Sequence, residues 1–236
     1  MPSGLQLARL LCAACATALM TAAAPAALAD SRVPAASLTP QSVYESADLV
    51  DDHLEPTVTV TTERAHRSTR GLFRSGWNDN HLRAEIDKRT GVARIEVRQR
   101  LQYGGLFRGY DQVSYATSGG AARAELSKLA DNRSLCTVFD APTTCFEEVA
   151  FVVEEADLRR LAASYRAGEP DPWVFKFKAA GGQDFRSGVM RAEVVGLLRR
   201  IDDYRAEFGL PAPPAALAAL KPEELAQLAA AASPDL

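Results

Sequence analysis

The sequence predicts an α+β fold in which an antiparallel β-sheet of about seven to nine strands packs on a long C-terminal amphipathic helix, with one shorter helix. Several segments between residues 57 and 154 alternate apolar and polar side chains, as half-buried strands do. Residues 189–208 repeat apolar side chains at helical spacing, which predicts a helix about 30 Å long with one wide apolar face. A sheet with one apolar face must bury it, and this helix supplies a partner.

The first 29 residues have the pattern of a secretory signal peptide. Arg9 precedes the apolar run 10–20, and an alanine-rich stretch ends at Ala29. A retained membrane anchor is the alternative, but Pro25 interrupts the apolar stretch and alanine favours a membrane span only weakly. We therefore expect an exported protein, periplasmic or secreted, with no integral membrane span after cleavage. Arginine greatly outnumbers lysine, which is typical of a GC-rich genome and favours a Gram-negative periplasm.

The rest of the chain divides into three parts. Residues 30–54 are rich in Ala, Pro, Ser and Asp and predict a flexible linker, with one short helical turn near 41–49. Residues 55–209 predict a single α+β domain, and residues 210–236 predict a Pro/Ala-rich tail with a short helix beginning at Pro222. The formal net charge is −3 and becomes more negative once the leader, whose one charged residue is basic, is removed. This acidic balance argues against nucleic-acid binding.

The strands are predicted in order along the domain. Alternating Val and Thr predict a strand at 57–62. Segments 82–87 and 94–100, joined by a turn at 88–91, predict a hairpin with one apolar face and one face that carries charges of both signs. Further strands are predicted at residues 112–117, 122–128, 135–139, 146–154, 173–178 and 183–186.

Two helices are predicted in the second half of the domain. Residues 156–166 place Leu158 and Leu161 on one face. The long helix spans 189–208, with apolar residues at positions 190, 194, 197, 198, 201, 204 and 208. Gly196 lowers the helix propensity in its middle, so we predict that it marks a close contact with a strand.

Two of the four cysteines, Cys136 and Cys145, lie outside the leader, and we predict that they form a disulfide. A turn signal at 140–142 lies between them, so the bridge is expected to join adjacent strands across their connection. A catalytic thiol pair is the alternative, but redox dithiols favour Cys-x-x-Cys at a helix start.

A short repeat carries the predicted binding site. Gly-Leu-Phe-Arg occurs at 71–74 and again at 105–108, and each copy is followed by a glycine and an aromatic residue. If neighbouring loops present both copies, they form a basic surface with an aromatic rim, because arginine binds phosphate or carboxylate and aromatic rings stack on sugars or lipid heads. The candidate binding residues are Phe73, Arg74, Trp77, Phe107, Arg108 and Tyr110.

The charge around this repeat indicates the partner. Residues 63–108 contain eleven basic and five acidic residues, so we expect an anionic envelope component, such as a glycan or a lipid phosphate, or an acidic protein surface. In the structural alternative, the two phenylalanines of the repeat fill the core and the arginines are merely solvated.

The sequence predicts no catalytic residues, no metal site and no cofactor. His53, His66 and His81 are dispersed, and there is no His-x-x-x-His pair, Gly-x-Ser-x-Gly elbow or phosphate loop. The acidic segment 140–157 lacks the spacing of a calcium loop and is expected to face the basic strands. We therefore predict a non-enzymatic exported binding domain. A small hydrolase, with a histidine beside an acid such as Asp79, and a periplasmic lipid carrier, with a cavity between the sheet and the last helix, are the alternatives.

Overall fold

In the computed structural model, the described residues form two larger antiparallel sheets, a two-stranded parallel pair and three α-helices. They are residues 33–34, 37–67, 79–117, 119–129, 136, 144–169 and 171–211, all within one unit, 32–236. The strands are β1 Val33–Pro34, β2 Asp48–Val50, β3 Thr57–Thr61, β4 His66–Arg67, β5 Asn80–Asp87, β6 Ala93–Gly104, β7 Tyr110–Thr117, β8 Gly120–Glu125, β9 Ser127–Lys128, β10 Thr144–Val153, β11 Pro172–Ala179 and β12 Phe185–Met190. The helices are α1 Pro40–Ser46, α2 Glu155–Ala163 and α3 Arg191–Glu207.

The chain alternates between the two larger sheets. The six-stranded sheet has the order β2-β3-β5-β6-β10-β9 and the four-stranded sheet has the order β12-β11-β7-β8, while β1 pairs with β4. After β6 the chain builds β7 and β8 of the second sheet and then returns to add β9 and β10 to the first. The predicted α+β class, with antiparallel strands packed on a C-terminal helix, is confirmed, and the strands are divided between two sheets.

Alternation along the strands explains which faces are buried. In the β5–β6 hairpin, Leu82 lies opposite Val97 and Ala84 lies opposite Ile95, and all four side chains are fully buried. The residues between them lie on the outer face, where Arg94 and Arg98 flank the carboxylate of Glu96. Arg100 lies 3.4 Å from Glu148 on the neighbouring strand β10. The predicted hairpin with one apolar and one charged face is therefore confirmed.

Aromatic contacts join the apolar faces of the two sheets. The ring of Phe151 in β10 lies 5.4 to 6.2 Å, centre to centre, from the three aromatic rings of β11. Asn80 adds a polar link, because its side-chain amide donates to Ser187 Oγ at 2.8 Å and to the Gly188 carbonyl at 2.9 Å. The core therefore lies between the sheets and continues under α3.

Helix α3 covers part of this apolar face, as predicted for the C-terminal helix. It contacts β3, β5 and β12, and its residues Val194 and Leu197 are fully buried. The helix begins at Arg191 rather than at the predicted Val189. The reason is that Val189 and Met190 pair with β11 and complete strand β12.

The close contact at Gly196 is with a helix, and the predicted contact with a strand is wrong. A Cβ atom on Gly196 would lie 2.5 Å from Val43 Cβ and 2.8 Å from the Pro40 carbonyl oxygen, both in α1. The missing side chain lets α1 lie directly against α3. Helix α1 is itself closed at its start by a capping box, in which Thr39 and Ser42 exchange hydrogen bonds.

Residues 40–50 are built into the domain, which differs from the flexible linker predicted over 30–54. Val43 of α1 is fully buried, and β2 pairs with β3 from Asp48 to Val50. The helical turn predicted near 41–49 is present as α1. A seven-residue helix and a three-residue strand are too short to show a clear hydrophobic period, so composition alone predicted a linker.

Ion pairs join α2 to α3, and the one between Arg205 and Glu155 is largely buried. The Arg205 side chain, 2% exposed, donates to Glu155 at 2.8 and 2.9 Å and to the Gly91 carbonyl at 2.8 Å. Arg159 bonds both Glu155 and Asp202. Burial disfavours the charged form of Glu155, but the hydrogen bonds and charges of Arg205 and Arg159 outweigh this effect and hold its pKa below the usual value.

The predicted disulfide between Cys136 and Cys145 is present. Cys145 lies in β10, opposite Tyr103 of β6. The leader, the strand predicted at 135–139 apart from Cys136, and most of the C-terminal tail lie outside the described residues. Within the described part of the chain, none of the helices has the length and apolar character that a membrane crossing requires.

Candidate functional site

The described half of the predicted site is the arginine loop, residues 105–109 between β6 and β7, and a buried carboxylate holds it. Glu147 is 3% exposed and accepts hydrogen bonds from the backbone N–H groups of Gly109 and Tyr110, each at 3.1 Å. The Tyr103 hydroxyl also donates to Glu147, and it accepts a backbone N–H of the loop at 2.9 Å. These bonds tie the loop to β10 and fix its path.

Strand alternation and two glycines produce this arrangement. Glu147 lies two residues before the buried Val149, so its side chain lies on the core side of β10. Gly105 and Gly109 have φ angles of 102° and 63°, which favour glycine and allow the loop to turn at both ends. Burial, followed by the hydrogen bond to Glu147, raises the pKa of Tyr103. The hydroxyl therefore keeps its proton and remains a donor.

Arg108 is a predicted site residue whose charge is held in place. Its guanidinium carbon lies 4.3 Å from the centre of the Tyr103 ring. One terminal nitrogen donates to the Tyr110 hydroxyl at 3.0 Å, and that hydroxyl donates to the Gln183 carbonyl at 3.2 Å. Among the described residues, no carboxylate forms an ion pair with Arg108. The loop thus fixes a half-buried cation that forms no ion pair with a described carboxylate.

The predicted site residues differ in what they offer a ligand. Tyr110 is fully buried, so its role is to position Arg108 rather than to form the surface. Phe107 is half-buried and adjoins Leu106, which is 90% exposed. The other copy of the repeat lies outside the described residues, together with its candidates Phe73, Arg74 and Trp77. The convergence of the two copies stays a prediction.

A second candidate is a cavity of about 390 Å³ between α2 and the ends of β7 and β11. Trp173 contributes to its wall, and two arginines reach it. Each arginine has an acidic partner, however: Arg160 pairs with Asp157, and Arg191 lies 3.2 Å from Asp171. The volume is at the lower end of small-molecule pockets. The cavity lies beside α2 and not beneath the long helix, where the lipid-carrier alternative requires it.

The described histidines do not line this cavity. His53 is exposed, 3.7 Å from Asp52, and His81 is buried in β5 opposite Arg98. The side chain of His66 lies outside the description. No group of three or more His, Cys, Asp or Glu side chains in the described chain is arranged to hold a metal ion.

Comparison with known proteins assigns no family to this chain. No protein-family model, curated protein or solved structure matches it. Inferences about its function therefore depend on the geometry of the described residues.

Sequence reasoning missed the two residues that organise the arginine loop, Glu147 and Tyr103. The signal was present, because Glu147 is in phase with the buried Val149 and Tyr103 is in phase with the buried Leu101. A polar group at such an inward position has to find a hydrogen-bond partner. The expectation that the acidic segment faces the basic strands is met by Glu148, whereas Glu147 lies on the opposite face.

Proposed function

We propose that this chain is an exported, non-enzymatic binding domain that recognises an anionic ligand through the arginine loop. The observation that carries the proposal is the Arg108 guanidinium, held by Tyr103 and Tyr110 without an ion pair in the described chain. A side chain that is already fixed loses little conformational entropy when it binds. A guanidinium also presents N–H donors in a fork that matches phosphate and carboxylate oxygens.

The neighbouring groups support binding rather than catalysis. The Glu147 carboxylate and the Tyr103 hydroxyl are engaged with each other and with the loop backbone, so neither is available as a general base. The exposed Leu106 and the half-buried Phe107 immediately precede Arg108 in the same loop. This combination suits a ligand that carries an apolar or sugar portion next to its anionic group.

The disulfide supports an oxidising compartment outside the cytoplasm. Together with the signal-peptide pattern of residues 1–29, it supports export, and the Gram-negative periplasm is the location we favour. Anionic ligands in that setting include envelope glycans, lipid phosphates and acidic proteins.

The test compares Arg108→Gln with Arg89→Gln, which removes an exposed positive charge from the turn between β5 and β6. Binding is measured with phosphatidylglycerol vesicles and with polygalacturonate, and phosphatidylcholine vesicles and dextran serve as neutral controls. Arg108→Gln is expected to weaken binding to at least one anionic probe by about tenfold, equivalent to about 1.4 kcal/mol. Arg89→Gln is expected to change it by less than about twofold.

Wild-type affinity of Arg108→Gln for every anionic probe would contradict the proposal. Thermal unfolding of both variants establishes that they are folded. Lipid that copurifies with the native protein, in an amount that Arg108→Gln does not change, would instead support the lipid-carrier alternative. An esterase activity lost on replacing His81 would support the hydrolase.

A further inference from the structure

One row of side chains across the four-stranded sheet is basic. The strand register places Arg186 of β12 opposite Lys176 of β11. Lys176 lies opposite Ser114 of β7, which in turn lies opposite Arg123 of β8. Because neighbouring strands lie about 4.8 Å apart, this row crosses all four strands within roughly 14 Å. We call these four residues the basic row.

The basic row lies on the outer face of the sheet. Lys176 is placed between the buried Phe175 and Phe177 along β11, so its side chain points to the opposite side. Arg123 and Arg186 are exposed. The cationic groups of the row are therefore available at the surface of the described domain.

The charges of the basic row are only partly neutralised. Asp184 lies 3.6 Å from Lys176 and 2.5 Å from Lys178, so one carboxylate serves two ammonium groups. Arg123 and Arg186 form no ion pair within the described chain. The outer face of the six-stranded sheet differs, because its arginines are paired with glutamates. The outer arginines of the six-stranded sheet are thus paired with acids, whereas the four-stranded sheet retains uncompensated positive charge.

The residues on either side of the basic row restrict the shape of a partner. The adjoining row on one side is uncharged and consists of Gly188, Val174, Ala116 and Ala121. The row on the other side, formed by Lys178, Gln112 and Glu125, includes a carboxylate. A flat anionic surface such as a bilayer would bring its phosphates against Glu125 and Asp184. A single polymer chain that follows the basic row stays clear of the row that contains Glu125 and meets Asp184 only beside Lys176.

We infer that the basic row binds a linear anionic polysaccharide, whose repeated carboxylate, phosphate or sulfate groups contact Arg186, Lys176 and Arg123 in turn. The chain lies across the strands, and the Ser114 hydroxyl supplies a hydrogen bond between the cations. This inference goes beyond the proposed function, because it uses a different surface and requires nothing of Arg108.

The experiment uses the full chain with polygalacturonate and dextran sulfate as probes, and with neutral dextran and phosphatidylglycerol vesicles for comparison. The test variant is Arg123→Gln/Lys176→Gln/Arg186→Gln. The control is Arg89→Gln/Lys128→Gln/Arg166→Gln, which removes the same charge from three exposed positions elsewhere. The row variant is expected to lose at least about tenfold in affinity for polygalacturonate, and the control less than about twofold. Raising the salt from about 50 to 200 mM is expected to weaken wild-type binding by at least about tenfold, as for other polyelectrolytes that displace counterions.

Four results overturn the inference. They are wild-type affinity of the row variant, equal losses in both triple variants, binding of the vesicles but not of the polysaccharides, and no binding of either polysaccharide by the wild type. Arg108→Gln is measured in the same titrations. If it alone loses affinity, the proposed function stands and the basic row fails as a site. If only the row variant loses affinity, and Arg108→Gln keeps wild-type affinity for the vesicles as well as the polysaccharides, the basic row stands and the proposed function fails.

Discussion

Replacing Gly196 by alanine tests how the N-terminal segment is joined to the domain, because two effects of this substitution have opposite signs. Alanine has the higher helix propensity, and in an exposed helix the change stabilises by about 1 kcal/mol. In α3, however, the new Cβ atom would lie 2.5 Å from Val43 Cβ and 2.8 Å from the Pro40 carbonyl oxygen. Neither atom can rotate away, so α1 has to move.

The cost of that movement exceeds the gain in propensity. Overpacking a well-packed contact costs about 1–3 kcal/mol. Complete detachment of α1 would expose Val43, which is fully buried and whose burial is worth about 1.5–3 kcal/mol. Subtracting the propensity gain of about 1 kcal/mol from a cost of about 1.5–3 kcal/mol, we expect Gly196→Ala to lower the free energy of unfolding by about 0.5–2 kcal/mol.

Urea unfolding followed by circular dichroism measures this change, and limited proteolysis within residues 37–47 reports whether α1 has detached. Gly181→Ala is the matched control, because nothing lies within 4 Å of a Cβ atom at that position; we expect a change of less than about 0.5 kcal/mol. If Gly196→Ala proves more stable than the wild type, α1 does not pack on α3, and the placement of residues 40–50 in the domain is wrong.

The buried carboxylates and the disulfide lead to three more expectations. Glu147→Gln places an amide N–H₂ group against a backbone N–H donor, so it is expected to lower the free energy of unfolding by about 1–3 kcal/mol. Hydrogen exchange of the two loop amides that the carboxylate binds is expected to become faster, and unchanged exchange would contradict the role assigned to Glu147. The lowered pKa of Glu155 stabilises the fold above the unfolded-state pKa of about 4.3, and this contribution is lost as the pH falls through the folded-state pKa. Urea midpoints between about pH 7 and 3 should therefore fall less steeply for Glu155→Gln than for the wild type, and an identical slope would show that Arg205 does not lower this pKa. Reduction of Cys136–Cys145, which closes a loop of about ten residues, is expected to lower the free energy of unfolding by about 2.5–3 kcal/mol in urea titrations with and without dithiothreitol.

The elements that could be predicted from the sequence are those with a long one-sided pattern. The β5–β6 hairpin and α3 repeat their apolar residues over many positions, so their existence and buried faces follow from local periods. The division of the strands into two sheets has no such local signal. It depends on contacts between distant segments, such as Phe151 against β11, and on the return of the chain to β10 after β8.

The candidate site was only partly predictable, because its organising residues are polar. Asn80, Gln99 and Glu147 all occupy inward positions in otherwise apolar alternation and are all buried. Alternation therefore indicates that each needs a buried partner. It does not identify the partner, since Asn80 bonds to β12, Gln99 to the Asp79 carbonyl and Glu147 to the arginine loop. The two copies of the repeat are easily recognised in the sequence. No local pattern, however, determines whether the two loops lie close together in the fold.

The unpaired arginines cannot be explained by a shortage of acids. The chain has 30 acidic and 27 basic residues, yet Arg108, Arg123 and Arg186 form no ion pair in its described part. The strand register places glutamates of β5, β6 and β10 beside the arginines of the six-stranded sheet, where they form ion pairs. Glu147 of β10 instead lies on the inner face, where it accepts hydrogen bonds from two backbone N–H groups and a hydroxyl. Exposed ion pairs stabilise a fold by at most about 1 kcal/mol each, so leaving these cations unpaired costs folding little. Their charge stays available to the anionic partner that we propose, and added salt is therefore expected to weaken that binding much more than it weakens the fold.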